Sequence, residues 1–393
     1  MSLTAKSTVS SQEGQGAENP LKALIHFGQS VWLDYIRRDL LTSGELARLI
    51  SKDGLRGMTS NPAIFEKAIT GSSDYTQLLE ELAKQKDLDA TGIYERIAIR
   101  DIQDASDALR TVYDRTKRRD GYVSLEVSPY LAHKTQETID EARRLWKTVA
   151  RDNAMIKVPG TPEGLPAIRD LIGRGININV TLLFALDVYE KVAEAYIAGL
   201  EDLAERGGDV SRVASVASFF VSRIDTMIDG QITETLKNPP AGSDPGLLKS
   251  LQGKVAIANA KITYQRYKEI FSGPRWQALA ARGAQTQRLL WASTGTKNKG
   301  YSDVLYVEEL IGPDTVNTIP PATLDAFRDH GKPRASLEDN VDAAGKTMHD
   351  LARAGISMKA VTDQLTDDGV KLFADAFDEL LAAVKKSAEK ATS

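Results

Sequence analysis

The 393-residue sequence contains no cysteine, which excludes disulfide bonds, thiolate nucleophiles and thiolate metal sites. Its four histidines are scattered at no spacing typical of metal ligands, so we expect no bound metal. No segment approaches the ~18 consecutive apolar residues that span a bilayer. The polar residues 1–18 lack the apolar centre of a secretory signal peptide and are predicted to form a disordered tail. We therefore expect a cytoplasmic location.

The sequence also has little excess of either charge, because its formal net charge is only −4, and no Lys/Arg-rich block occurs. Such a chain is not expected to bind nucleic acid or an anionic membrane, and small molecules are the expected partners. The segment Gly295–Gly300 has the spacing of a phosphate-binding P-loop, but Tyr301-Ser302 follows where Lys and Ser/Thr are required. Any phosphate must therefore be recognised by a few individually placed residues.

Short apolar runs, most of them rich in β-branched residues, alternate with longer segments of helical period. Several are apolar throughout, as expected of parallel strands covered on both faces. We predict eight strands: Val31–Ile36, Gly54–Ser60, Tyr122–Val127, Ala154–Pro159, Ile176–Phe184, Val213–Phe219, Leu289–Thr294 and Thr315–Ile319.

Eight strands separated by helices predict an α/β fold, a single (β/α)8 TIM-type barrel over residues 19–393. An open doubly wound sheet is the alternative. Asn19-Pro20 indicates the first helix start. Extra helices are expected in residues 222–287, after the sixth strand, and in residues 321–393. The last helix carries an apolar stripe that would pack against the barrel wall or serve as a lid: Val370, Phe373, Phe377, Leu380 and Val384.

Active sites of such barrels lie at the carboxyl ends of the strands, so polar residues ending the apolar runs are the candidates. Lys157 is the most informative, because a lysine inside an apolar strand is costly unless it is paired or loses its proton. It is either a nucleophile toward carbonyls or half of a structural ion pair. Asp34 and Glu126 end two other strands. The three side chains form either a salt-bridged triad or a nucleophile with two acid/base groups.

The remaining candidates each have a plain structural alternative. Asn61 precedes a proline and could simply cap a helix. Asn179 and Thr181 match a glycosylation acceptor, which a buried strand makes accidental. The other polar residues follow strands six and seven, where barrel phosphate sites form, although loop cations are commonly just solvated: Ser218, Arg223, Ser293 and Lys297.

Three motifs resemble those of the transaldolase family, in matching order and spacing from about Leu24 to Pro321. The segment Met58–Phe65 (MTSNPAIF) resembles the family signature, and Met155–Thr161 (MIKVPGT) resembles the segment that carries the Schiff-base lysine. Ile178–Phe184 (INVTLLF) is similar to a third family run. The length and the segment Trp291–Lys297 resemble the longer bacterial branch of the family.

The resemblance implies a cofactor-free class I aldolase of the pentose phosphate pathway, present as a monomer or homodimer. It would transfer dihydroxyacetone from sedoheptulose 7-phosphate or fructose 6-phosphate to glyceraldehyde 3-phosphate or erythrose 4-phosphate. Lys157 would form the imine, and Glu126 would move protons through a water held with Thr181. Asp34 would take the hydroxyl proton that starts carbon–carbon cleavage. Asn61, Asn179 and Ser218 would hold the dihydroxyacetone hydroxyls, and Arg223 and Ser293 the phosphate.

One position departs from the family pattern. Shorter transaldolases have an arginine two residues after the serine that matches Ser293, whereas this chain has Gly295, and Lys297 is the candidate replacement. Two other functions stay open. A fructose-6-phosphate aldolase of the same fold releases free dihydroxyacetone, but such relatives are shorter and characteristically have another residue at Glu126. A non-catalytic sugar-phosphate-binding barrel would have no use for Lys157 beside two carboxylates.

Overall fold

The computed structural model describes residues 19–85 and 87–392. The predicted tail, residues 1–18, lies outside the described residues. Folded structure begins where the sequence indicates, because the Asn19 side chain accepts a hydrogen bond from the Leu21 backbone N–H and Pro20 starts the first helix.

Eight parallel strands pair in sequence order and close on themselves, which confirms the (β/α)8 barrel and excludes the open sheet. The strands are buried along their whole length, apart from the half-buried last residues of β1 and β3. Their bounds are β1 Gln29–Asp34, β2 Gly57–Thr59, β3 Tyr122–Glu126, β4 Ala154–Pro159, β5 Ile178–Leu183, β6 Ser215–Phe220, β7 Arg288–Ala292 and β8 Thr315–Ile319.

Five of the eight strands differ from their predicted bounds at both ends, and the starts of β1 and β2 have clear physical reasons. β1 begins two residues earlier than predicted, because the polar Gln29 and Ser30 are buried with hydrogen bonds to the Leu310 carbonyl and to Asp120. β2 begins only at Gly57, since Gly54 has a φ of 72° and ends a π-helical turn. Gly57 itself is required, because a Cβ there would lie 2.5 Å from the Trp32 ring.

Helices surround the barrel and fill both predicted insertions. No helix in the described part of the chain is long and apolar enough to cross a membrane. The helices are α1 Pro20–Ala23, α2 Arg38–Thr42, α3 Glu45–Arg48, α4 Pro62–Thr70, α5 Thr76–Ala83, α6 Ala90–Ala108, α7 Arg110–Arg115, α8 Thr135–Val149, α9 Gly164–Ile172, α10 Leu186–Glu205, α11 Ser222–Lys237, α12 Pro245–Leu251, α13 Val255–Ile270, α14 Pro274–Ala280, α15 Leu305–Glu309, α16 Pro321–His330, α17 Val341–Arg353 and α18 Met358–Thr392.

The last helix, α18, packs against α4, α5 and α6 and reaches the carboxyl end of the barrel. Its predicted apolar stripe is buried apart from the half-buried Val370. Phe377 meets Tyr94 of α6 edge-on, with ring centroids 5.7 Å apart. A Cβ at Gly369 would lie 2.8 Å from the Leu182 side chain, so the helix passes close over the end of β5. The stripe thus packs against the barrel and also covers part of its mouth.

Candidate active site

A cavity of about 310 Å³ opens at the carboxyl ends of the strands, where the fold predicts the active site. Eight of the ten candidate residues line it, and Glu126 and Asn179 lie beside and beneath it. The eight are Asp34, Asn61, Lys157, Thr181, Ser218, Arg223, Ser293 and Lys297.

Lys157 lies in the middle of β4 and is only 4% exposed. Its Nζ donates a hydrogen bond of 3.0 Å to the Ser60 carbonyl and lies 3.3 Å from Glu126 Oε2. The parallel register explains this pairing, because Glu126 of β3 is the direct neighbour of Lys157 on β4. The Phe373 ring of α18 lies 5.9 Å from Nζ and covers the amine. An ion pair therefore exists, and it lies within the cluster of candidate catalytic groups.

The two carboxylates near Lys157 experience the same physical effects. Burial raises the pKa of Glu126, and the adjacent Lys157 ammonium limits that rise. Burial likewise raises the pKa of Asp34, opposed by Lys157 and by a 2.7 Å hydrogen bond that the Thr59 hydroxyl donates to Asp34 Oδ1. Carboxyls with raised pKa values beside an amine are suited to exchanging protons near neutral pH.

Asn179 lies below the cavity and is fully buried, so it is inaccessible for glycosylation. Its Nδ2 donates to the Ser124 hydroxyl at 3.0 Å, and its Oδ1 accepts from the Ser218 hydroxyl at 2.7 Å. Ser218 lines the cavity, so Asn179 orients a hydroxyl that faces the cavity. Asn61 caps α4 by accepting from the Ile64 backbone N–H at 3.0 Å and also lines the cavity. Capping and ligand contact are therefore compatible at Asn61.

Arg223 gives the far wall of the cavity its positive charge. Its guanidinium lies 5.1 Å from the centre of the Phe220 ring and has no ion-pair partner among the described residues. Burial lowers the pKa of Arg223, yet a guanidinium stays protonated at all physiological pH values. Arg223 is the second residue of α11, whose amino-terminal end adds positive potential. The Ser222 and Ser293 hydroxyls lie 3.0 Å apart at the same place.

The loop after β7 explains the departure at position 295. A Cβ on Gly295 would lie 3.2 Å from Thr323 Oγ1, so a large side chain would require its neighbours to move. Lys297, two residues later, is exposed and lines the cavity. The loop is held by a 2.7 Å hydrogen bond from the Tyr301 hydroxyl to Asp229 of α11.

Ten further residues line the cavity that were not proposed as site residues from the sequence, and four of them have side chains placed to affect the chemistry. Thr59 is the last residue of β2 and Thr318 the second-to-last of β8, and their hydroxyls lie 2.7 Å apart, so examining polar residues near strand ends could have found them. Lys67 of α4 lies four residues after Ala63 and three after Ile64, which also line the cavity, so helical spacing places these three side chains on one face. Phe373 comes from α18, and no local pattern indicates that it meets Lys157.

No group of three or more His, Asp or Glu side chains in the described ranges is arranged to hold a metal ion.

Comparison with known proteins gives one consistent result. A sequence model of the family described as transaldolase/fructose-6-phosphate aldolase matches residues 31–384. The chain is 48% identical over 376 residues to a transaldolase of Trichodesmium erythraeum, covering 95% of this chain and 99% of that protein. A transaldolase of Thiobacillus denitrificans is 48% identical over 366 residues, 93% of this chain and 99% of that protein. A transaldolase of Parafrankia sp. is 46% identical over 375 residues, again covering 95% and 99%.

Proposed function

Because the chain belongs to the transaldolase/fructose-6-phosphate aldolase family, we propose specific roles for the residues at its barrel mouth. The family membership confirms the resemblance found in the sequence. The activity is that of a transaldolase, a transferase that moves a three-carbon dihydroxyacetone unit from a ketose phosphate to an aldose phosphate. The observation that carries the proposed roles is the buried Lys157 amine 3.3 Å from the Glu126 carboxylate.

The first step is formation of an imine. Lys157 first passes its ammonium proton to Glu126, and the freed amine attacks the C2 carbonyl of the ketose, forming a C–N bond. The carbonyl oxygen takes up the proton that the nitrogen then loses, which gives a neutral carbinolamine. Loss of that hydroxyl as water, with a proton from Glu126, leaves a protonated imine and a Glu126 carboxylate. Glu126 Oε2 and Thr181 Oγ1 are both buried and have no protein hydrogen-bond partner among the described residues. This fits a water molecule held between them, because buried polar atoms are normally hydrogen-bonded.

The second step is carbon–carbon cleavage. Asp34 takes the proton of the C4 hydroxyl, the C3–C4 bond breaks, and its electron pair moves to the imine nitrogen to form an enamine. The aldose phosphate leaves, and an acceptor aldose reverses the sequence. Asp34 is suited to this role because burial raises its pKa and Thr59 holds its carboxylate in one orientation. The protonated imine supplies the electron sink.

The substrate phosphate is proposed to bind at Arg223 and Ser293, with Lys297 as a second cation. These residues form the wall of the cavity on the β6–β7 side, whereas Lys157 lies on β4. Asn61 and Ser218 would hold the hydroxyls of the dihydroxyacetone unit, and Asn179 would orient Ser218. Sedoheptulose 7-phosphate and fructose 6-phosphate as donors, the pentose phosphate pathway, the cytoplasmic location and the monomeric or homodimeric state stay predictions.

Reductive trapping tests the role of Lys157. Borohydride added with fructose 6-phosphate should reduce the imine and leave a stable adduct on the Lys157 peptide, identified by mass spectrometry. Asp34→Asn should accumulate more of this adduct, since its proposed step follows imine formation. Lys261 is a matched internal control, because it is also buried, at 5% exposure, but lies outside the cavity.

An adduct on another lysine, or none, would overturn the assignment of Lys157. Lys157→Met should lose both the adduct and the activity while remaining folded. Product analysis with fructose 6-phosphate, with and without an acceptor aldose, separates transfer from simple aldol cleavage. Transfer predicts little free dihydroxyacetone in either case.

A further inference from the structure

A second cavity lies behind Glu126, on the side away from the substrate cavity. It measures about 320 Å³ and is bounded by β3, α6, α8 and α18. Its lining includes Thr91, Tyr94, Ala98, Glu126, Glu141 and Leu381. We call the substrate cavity the front cavity and this second one the rear cavity. Lys157 lines the front cavity and Glu126 lines the rear cavity, so their 3.3 Å ion pair lies between the two spaces.

The rear cavity has a mainly apolar lining that is interrupted by several polar groups. Glu126 and Glu141 both line it, and the Glu141 carboxylate accepts a hydrogen bond of 2.7 Å from the Ser128 backbone N–H. Tyr130, which also lines it, is 50% exposed, so the cavity reaches the protein surface there. A cavity of this size with several polar groups is large enough to hold ordered water.

Glu126 itself indicates a further ligand. Its side chain is only 7% exposed, and Oε2 has no hydrogen-bond partner among the described residues. An ionised carboxylate has about four acceptor sites, and the ion pair with Lys157 and the water proposed to be shared with Thr181 use at most two of them. Leaving the others empty in a buried position would be costly. Water on the rear side of the carboxylate would satisfy them.

The chemistry requires water to pass this point. Each imine formation releases one water beside Glu126, and each imine hydrolysis consumes one. The front cavity is at the small end of the range for ligand sites, so a ketose phosphate bound to Lys157 leaves little room for water to pass on that side. We propose that the rear cavity supplies and removes the water of imine formation and hydrolysis while the sugar occupies the front. This inference rests on the proposed Schiff-base function.

Exchange of the ketone oxygen measures this water directly. Imine formation and hydrolysis replace the C2 oxygen of fructose 6-phosphate with solvent oxygen, so 18O from labelled water enters the substrate without any acceptor. Ala98→Met should fill the rear cavity, because methionine adapts to irregular spaces and suits the interior of α6. We expect it to slow 18O entry severalfold and to slow imine formation equally, with the equilibrium fraction of trapped adduct unchanged.

Leu381→Ala is the matched control, because it widens the same cavity from α18 at a half-buried position. If packing behind Glu126 merely holds its carboxylate in place, both variants should slow the exchange. If water passes through the cavity, only the filling variant should. Thr91→Met narrows the cavity at another half-buried position and replaces Ala98→Met if that variant does not fold.

The outcomes separate this inference from the proposed function. Wild-type protein without enzyme-dependent 18O entry or a borohydride adduct would contradict the Schiff-base function itself. If 18O enters as fast in the filling variants as in the wild type, or if Leu381→Ala slows it equally, water reaches Glu126 by another route and the proposal is wrong. Slowing confined to the filled variants supports the rear route.

Discussion

The Asp34 carboxylate shows how much a single hydroxyl neighbour contributes to the site. Burial raises the pKa of both Asp34 and Glu126, and Lys157 opposes the rise in both. Only Asp34 also accepts a side-chain hydroxyl hydrogen bond, from Thr59, which stabilises its charged form. Asp34 is proposed to act as a base. Activity should therefore be complete above its pKa and be lost as the pH falls through it.

Removing the Thr59 hydroxyl should move that acid limb. A hydrogen bond to a charged group is worth ~1.5–3 kcal/mol, which corresponds to about one to two pH units. Thr59→Val should therefore shift the acid limb of kcat upward by up to that amount, because the Asp34 pKa rises when the charged form loses its donor. Thr59→Ser keeps the hydroxyl and should retain the wild-type profile. An unmoved limb in Thr59→Val would contradict the proposed base role of Asp34.

At the scale of elements, one helix and one loop together form the proposed phosphate site. Helix α11 contributes Arg223 and carries Asp229 two turns later. The loop after β7 contributes Ser293 and Lys297 and is tied to α11 by the Tyr301–Asp229 hydrogen bond. A second bond of 2.9 Å joins Tyr306 of α15 to Asp225 of α11. The two elements are thus held in register by bonds that do not touch the cavity.

Arg223→Ala should raise KM for phosphorylated donors by about 10–150-fold, the equivalent of one charge-assisted hydrogen bond of ~1.5–3 kcal/mol. Non-phosphorylated fructose or dihydroxyacetone should be affected much less. Lys297→Ala should act in the same direction if Lys297 replaces the family's arginine. Tyr301→Phe should then give a smaller increase of the same kind, because the loop loses its anchor while Lys297 remains.

Steady-state kinetics on matched phosphorylated and unphosphorylated donors distinguish these effects from general destabilisation, which lowers both activities alike. A Lys297→Ala variant within about twofold of wild type on both classes, against the factor of 10–150 expected for a lost charged contact, would make Lys297 an ordinary solvated lysine. An unchanged preference for phosphorylated donors in Arg223→Ala would place the phosphate elsewhere.

At the scale of the whole molecule, the two ends of the barrel use charge differently. At the amino-terminal end, Arg288 of β7 lies 2.8 Å from Asp120, which precedes β3, and donates to Ser30 of β1 at 2.9 Å. Arg56 lies 3.2 Å from the same carboxylate. Burial disfavours the charged form of Asp120, but the two arginines outweigh it and hold its pKa below the usual value. This network is at the opposite end of the barrel from the catalytic cluster and joins β1 and β7 to the segment that leads into β3.

Asp120→Asn should reduce the free energy of unfolding by ~3–5 kcal/mol near neutral pH, because it leaves Arg288 buried without its partner. Activity per folded molecule should stay at the wild-type level. Asp120 has a lowered pKa in the folded state, so its contribution is complete above the unfolded value of about 4 and is lost as the pH falls through the folded value. Urea titrations should show the wild-type advantage shrinking in acid. A difference that is independent of pH would contradict this account.

Much of the barrel was predictable because its strands are short apolar runs and the helices between them have apolar residues at a clear helical spacing. All eight predicted strands exist, and seven of them differ from their predicted bounds by no more than two residues at either end. The starts of β1 and β2 were mispredicted for different reasons, a long-range one at β1 and a local one at β2. Gln29 and Ser30 resemble loop residues until Leu310 and Asp120 supply their hydrogen bonds, and Gly54 stops β2 through its backbone conformation. The partners of Gln29 and Ser30 are so distant in the chain that they leave no local signal at β1.

The sequence by itself determined the fold class and which strand ends carry polar groups, because periodicity and motif order are properties of the chain. Only the tertiary structure decided what these groups touch. Barrel register made Glu126 the neighbour of Lys157, and α18 brought Phe373 over the same amine. The tertiary structure also placed the rear cavity behind Glu126 and buried Asn179 between Ser124 and Ser218. The physical reason is that burial, pairing and cavity shape depend on contacts between residues far apart in the chain.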